Sequence, residues 1–125
     1  MYKNPNIIYT DLTAEQYINI IKQNNGIVLF KLGATWCGPC QQILPLLNSA
    51  LPQMPSSVTS YIIDIDKSPE VFSLFKRRKL SSGVPVVCCY YKDNKEIYPD
   101  DMVIGADNGK LNDFFKRTFD KAKTM

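Results

Sequence analysis

Trp36-Cys37-Gly38-Pro39-Cys40 follows an apolar run, Ile27-Val28-Leu29-Phe30-Lys31-Leu32, and precedes a segment with helical spacing. A strand that feeds a helix here sets Cys37 at the helix N-terminus and Cys40 one turn later. The unpaired N–H groups and the positive end of the helix dipole at that place favour an anion. A thiolate is such an anion, and it is the nucleophilic form of cysteine. Two thiols with two residues between them also close a small ring once the backbone turns into a helix. The stretch reads as a redox dithiol.

Upstream, Ile7-Ile8-Tyr9 is short and β-prone, suited to an edge or opening strand. Thr13 with Gln16 is a capping box, and Leu12 is placed to pack on Tyr17 as a hydrophobic staple. Tyr17, Ile18 and Ile21 form the buried stripe of a first helix that Asn24-Asn25-Gly26 ends. The run over 27–32, apolar except for Lys31, suits a central strand covered on both faces. Downstream, Ile43, Leu44, Leu46 and Leu47 keep helical spacing. Pro45 kinks that helix about one turn past Cys40, and Pro52 and Pro55 end it. Residues 58–65 form another strand, followed by Ser68 as cap and Pro69 at the first helical position, with Val71, Phe72 and Phe75 inward. The basic run Lys76-Arg77-Arg78-Lys79 suits that helix's C-terminus. It is a solvated helix end in one reading and a device that steers acidic partners in another.

Val84-Pro85 leads into Val86-Val87-Cys88-Cys89-Tyr90-Tyr91, a strand of β-branched and aromatic residues. A turn at Asp93-Asn94-Lys95 precedes a returning strand over 96–104, interrupted at Pro99-Asp100-Asp101 and closed by Gly105. Asp107 caps a last helix with Leu111, Phe114, Phe115, Thr118 and Phe119 on its apolar face, and residues 120–125 read as a frayed tail. The order β-α-β-α-β-α-β-β-α predicts an α/β fold: a central mixed sheet of about five strands flanked by four helices, the last two strands antiparallel. One domain over 1–125, its core at roughly 7–119, is expected for 125 residues. Reactive groups cluster at strand carboxyl ends in such sheets, which is where the dithiol falls.

The composition, 45% hydrophobic and 22% charged, is that of a soluble globular protein. No apolar run approaches the ~20 residues of a membrane span, and a net charge of +3 gives no argument for nucleic acid. The N-terminal residues 1–6 lack an apolar signal region, so a reducing, cytoplasmic compartment is expected. In such a compartment four cysteines are catalytic or metal-binding rather than staples. Histidine is absent, which removes imidazole acid–base chemistry and every imidazole metal site. Cys88 and Cys89 are neighbours on a strand and point to opposite faces, as core fillers do. A zinc site from Cys37, Cys40, Cys88 and Cys89 meets the ligand count, but those opposed directions argue against it, so no metal is assigned. Asp64 and Asp66 read as strand-end polar residues without paired-carboxylate chemistry.

With these residues in order, the chain resembles the thioredoxin family. Trp36-Cys37-Gly38-Pro39-Cys40 after a buried strand is similar to the family's active site. Pro45 resembles its helix-kinking proline, Val84-Pro85 its cis-proline step facing the dithiol, and Gly105-Ala106 its substrate-groove loop. The resemblance implies a thioredoxin fold and a protein disulfide reductase without a bound cofactor. Cys37 would be the exposed attacking thiolate and Cys40 the resolving thiol, supported by Trp36, Gly38, Pro39 and Lys31. Trp36, Val84, Pro85, Gly105 and Ala106 would line the substrate groove. The implied partners are disulfide-containing protein substrates and a thioredoxin reductase or other thiol donor, with no nucleic acid and no membrane. The implied compartment is the cytoplasm, or a host cytoplasm or virion should the chain be viral. Pro39 between the cysteines resembles the reducing members.

The chain departs from the family at four places. Lys31 stands six residues before Cys37, where the family has a buried aspartate, and Ile62 stands where it has the partner lysine. A charged lysine there favours nearby thiolates; otherwise it snorkels outward or titrates. Gly33 replaces a frequent second tryptophan and opens space beside the site. The last hairpin is longer, around residues 98–102. The alternative reading, raised by Lys31, is a thioredoxin-fold interaction module with weakened redox activity.

Overall fold

In the computed structural model, which describes residues 5–125, five strands form one sheet: β1 (Ile7–Tyr9), β2 (Ile27–Gly33), β3 (Val58–Asp64), β4 (Val86–Tyr90) and β5 (Asp101–Ile104). Their spatial order is β1-β3-β2-β4-β5. β1 and β2 run parallel to β3, while β4 runs antiparallel to both β2 and β5. β2 is central, and all seven of its residues are buried, Lys31 included. That explains why its sequence is a continuous apolar run rather than an alternation. The reading of residues 1–4 lies outside the described residues.

The helices are α1 (Ala14–Gln23), α2 (Gly38–Gln42), α3 (Leu44–Ala50), α4 (Pro69–Arg77) and α5 (Asn108–Ala122), with a 3₁₀ turn at Leu51–Gln53. One face of the sheet packs Val28, Phe30, Leu32, Cys88 and Tyr90 against Tyr17 and Ile21 of α1 and Val71, Leu74 and Phe75 of α4. The other packs Ile27, Leu29, Val87 and Cys89 against Leu47 of α3 and Leu111, Phe114 and Phe115 of α5. At α1, Thr13 Oγ1 accepts from Gln16 N–H at 3.1 Å and Gln16 Oε1 accepts from Thr13 N–H at 2.8 Å, the capping box the sequence signals.

Several expectations need correction. Pro45 does more than bend its helix: α2 ends at Gln42, Ile43 is the joint between the two helices, and α3 starts anew with the proline in its first turn. Proline has no N–H to give the preceding turn, so the ladder breaks there. Pro52 sits inside the 3₁₀ turn that extends α3. Ser68 precedes α4, yet its Oγ accepts from Leu12 N–H at 2.9 Å and ties the loop before α1 to α4 instead of capping. Phe72 is half-buried, and Leu74 takes the inward place.

Asn24 ends α1 in extended backbone, so Gly26 is no left-handed cap. A Cβ on Gly26 would collide with the Ser57 carbonyl oxygen, which is why the chain has none there. Residues 96–100 form no strand: Tyr91 N–H bonds Asp100 Oδ2 at 2.7 Å, and Asn94 binds the Glu96 N–H and the Tyr98 carbonyl. Side chains satisfy much of this backbone, and the first backbone bond to β4 is Asp100 N–H to the Cys89 carbonyl at 2.9 Å. Residues 120–122 are helical rather than frayed, with Ala122 buried.

Candidate active site

β2 delivers the chain to the dithiol at its carboxyl end. Cys37 is the N-cap of α2, with extended backbone at φ −87° and ψ 109°. Pro39 occupies the first turn, where its missing N–H costs nothing. Cys37 and Cys40 are joined as a disulfide with their Cα atoms 5.2 Å apart. Cys37 Sγ accepts from Cys40 N–H at 3.2 Å, a donor that also stabilises a thiolate at that sulfur. Exposure does not distinguish the two cysteines: Cys37 is 4% exposed and Cys40 1%. The expectation of an openly exposed Cys37 is thus corrected: its sulfur is bonded to Cys40 and lies against the Val84 carbonyl. Direction distinguishes them instead. Cys37 Sγ lies 3.7 Å from the Val84 carbonyl oxygen, on the side of that turn, whereas Cys40 Sγ faces Gly33.

The Val84–Pro85 peptide is cis. Gly105 N–H donates to the Pro85 carbonyl at 2.9 Å, locking the loop after β5 to this turn. Gly105 adopts φ +90°, which penalises any side-chain-bearing residue. Ala106 is half-buried and packs into the core under α5. Trp36 is 67% exposed, and its Nε1–H donates to Asp66 Oδ2 at 2.8 Å. The Asp66 N–H in turn donates to Asp64 Oδ1 at 2.9 Å. Asp66, read from the sequence as a strand-end polar residue, has a further role. It is the strut that holds the indole beside the dithiol, and only the tertiary placement of the β3 end beside Trp36 reveals it.

Lys31 lies behind the dithiol. It is 9% exposed and so does not snorkel to the surface. A Cβ built on Gly33 would lie 2.7 Å from Lys31 Nζ and 3.5 Å from Cys40 Sγ. Both atoms border the space a side chain on Gly33 would fill, so the lysine and Cys40 flank the same glycine. Burial lowers the Lys31 pKa, and the Asp64 carboxylate partly opposes this. Lys31, Gly33, Ala34, Gln41, Leu44 and Asp64 line part of a cavity of about 590 Å³ that opens to solvent past the exposed Tyr9 and Lys67. Ile62 pairs with Lys31 in register, leaving that neighbouring place apolar.

Cys88 and Cys89 are apart from this chemistry. They are fully buried, without a disulfide, and they face opposite cores. Burial pushes the Cys88 thiol up to about 12 and raises that of Cys89 as well, so both stay protonated and inert. Among the described residues no group of three or more cysteine, aspartate or glutamate side chains is placed to hold a metal ion. No helix among them is long and apolar enough to cross a membrane.

A dithiol at the start of a helix, under a cis-proline turn and beside an exposed tryptophan, defines a thiol–disulfide oxidoreductase. The chain belongs to the thioredoxin family, whose model, described as Thioredoxin, matches residues 8–117. It is 30% identical to Thioredoxin-2 of Saccharomyces cerevisiae over 75% of this chain and 82% of that protein. It is 33% identical to the TPR repeat-containing thioredoxin TDX of Arabidopsis thaliana over 83% of this chain, but spans only 25% of that longer protein. Among solved structures, Trichomonas vaginalis thioredoxin superposes with a TM-score of 0.72 at 27% identity, covering 91% of this chain and 98% of that one.

Proposed function

We propose that the chain reduces disulfides of protein substrates, with Cys37 as the attacking sulfur and Cys40 as the resolving one. In the reduced state the Cys37 thiolate attacks one sulfur of the substrate disulfide. A Cys37–substrate mixed disulfide forms, and the other substrate sulfur leaves as a thiolate. Cys40 gives up its proton and attacks Cys37 Sγ. The internal disulfide closes and the second substrate thiolate departs. Two electrons pass to the substrate, and the chain ends in the disulfide state. The two cysteines carry both electrons, so the cycle calls for no bound cofactor.

The observation that carries this reading is directional: Cys37 Sγ faces the Val84 carbonyl and the groove side, while Cys40 faces the interior at Gly33. The Val84 carbonyl beside Cys37 Sγ is proposed as the acceptor with which an extended substrate segment pairs. Trp36, Val84, Pro85, Gly105 and Ala106 are proposed to flank that segment, with Gly38 and Pro39 shaping the dithiol turn and Lys31 supporting Cys40. Electrons would return from a thioredoxin reductase or another thiol donor, which makes the chain an electron carrier. That direction of flow suits a reducing compartment such as the cytoplasm.

Insulin reduced with dithiothreitol is the direct assay. The chain is expected to accelerate precipitation of the insulin B chain, and Cys37→Ser to fall to the rate without protein. Equal rates for the two would instead support the second reading, an interaction module of this fold with weakened redox activity, which the lysine behind Cys40 favours.

A further inference from the structure

The groove does not stop at the cis-proline turn. Val84, whose carbonyl oxygen lies 3.7 Å from Cys37 Sγ, also lines a cavity of about 550 Å³ on its other side, with Lys76, Lys79, Ser82, Ile104 and Gly105. Among the described residues no acidic one lines it. Its position follows from how α4 ends. Lys79 takes a left-handed φ of 58°, its N–H bonding the Lys76 carbonyl at 3.1 Å while Leu80 N–H bonds the Phe75 carbonyl at 2.9 Å. This turn reverses the chain and aims the basic end of α4 at the loop before β4. Ser81 then fixes the loop, its Oγ donating to the Gly83 carbonyl at 2.8 Å and accepting from Gly83 N–H at 3.2 Å.

Both lysines are exposed. The ion pair found among the described residues is Arg117–Asp101, on another part of the surface, so neither lysine is neutralised. Lys76 Nζ sits 4.6 Å from the Phe72 ring centroid, a cation–π contact that holds the side chain against the helix. Arg77 and Arg78, also exposed, add to the same field. Ile104, 51% exposed, supplies an apolar contact at the cavity's edge.

We propose that this basic wall makes the chain select disulfides flanked by acidic residues, with the carboxylates of the substrate segment seated on Lys76 and Lys79. The inference rests on the disulfide-reductase reading and adds the chemical class of its substrates. Carboxylates placed there lie beside the peptide that crosses Val84 and so act on encounter and docking. The effect belongs in kcat/KM and its salt dependence, with kcat little changed.

The experiment uses disulfide-linked peptides of one sequence whose flanking residues are acidic, neutral or basic, reduced by the full chain at low and at 0.5 M salt, roughly the range over which screening removes such steering. At low salt the acidic peptide is expected to exceed the basic one about tenfold in kcat/KM, within the range typical of electrostatic steering, and the gap is expected to close at high salt. Lys76→Glu/Lys79→Glu is expected to reverse the order and Lys76→Gln/Lys79→Gln to flatten it. Lys22→Glu/Lys116→Glu, which changes net charge equally away from the cavity, should leave the order intact. Equal kcat/KM for all three peptides, or an order that the cavity variants leave unchanged, overturns the proposal. Failure to reduce even the neutral peptide marks the loss of the reductase reading itself, and the proposal falls with it.

Discussion

Lys31 is the residue whose chemistry is hardest to reconcile with its place. An ammonium on the central strand, 9% exposed, bears a desolvation cost that the Asp64 carboxylate only partly offsets. Its folded pKa therefore lies below the ordinary 10.5, and the unfolded chain binds this proton more tightly. The linked stability is present above pH 10.5 and is lost as pH falls through the lowered folded value. Lys31→Met binds no such proton. It is expected to be more stable than the wild type near neutral pH, with the difference shrinking as pH rises toward 10.5. Urea melts of both proteins from pH 7 to 10.5 check this; a pH-independent difference refutes it. The sequence disclosed a lysine six residues before Cys37. That Gly33 supplies the space that Lys31 Nζ and Cys40 Sγ border belongs to packing, which no single-residue pattern encodes.

At the scale of elements, Gly26 gives the sharpest test of how the sheet is entered. The loop after α1 passes against the backbone of the loop before β3: Ile27 N–H bonds the Ser57 carbonyl at 2.9 Å, and a Cβ on Gly26 would strike that same carbonyl oxygen. Backbone cannot step aside as a side-chain tip can. Gly26→Ala is expected to cost about 1–3 kcal/mol, as overpacking does, and a urea melt that matches the wild type contradicts this account. The strands and helices were legible where local chemistry and burial agree, as at the Thr13–Gln16 box, the all-buried β2 and the Asp107 cap, whose Oδ1 accepts Lys110 N–H at 2.9 Å. Residues 96–100 misled because their β-like composition serves other ends. The buried Tyr90 hydroxyl donates to the Ile97 carbonyl at 2.7 Å and receives the Tyr17 hydroxyl at 2.9 Å, which draws this loop over the core instead of along β4. Gly26 misled in the opposite sense. It looks like a helix stop and serves a close approach between loops. The Trp36–Asp66 bond spans thirty residues of sequence, so no local signal announces it.

For the whole molecule, the sheet order decides which surfaces meet. Because β2 lies between β3 and β4, the dithiol after β2 comes to rest between the β3 end, which holds Trp36 through Asp66, and the cis-proline turn before β4. The same order brings Gly105, after β5, onto Pro85 and the basic end of α4 alongside it. One side of the dithiol thus meets a groove and the other meets Lys31 and the interior. This asymmetry carries the central claim that Cys37 attacks and Cys40 resolves. Trapping tests it most directly. Reduced Cys40→Ser and reduced Cys37→Ser are each mixed with oxidised insulin, and intact masses are measured with and without dithiothreitol. The account predicts a dithiothreitol-sensitive mixed disulfide on Cys40→Ser, bonded through Cys37, and none on Cys37→Ser. An adduct on Cys37→Ser, or none on either variant, would contradict it.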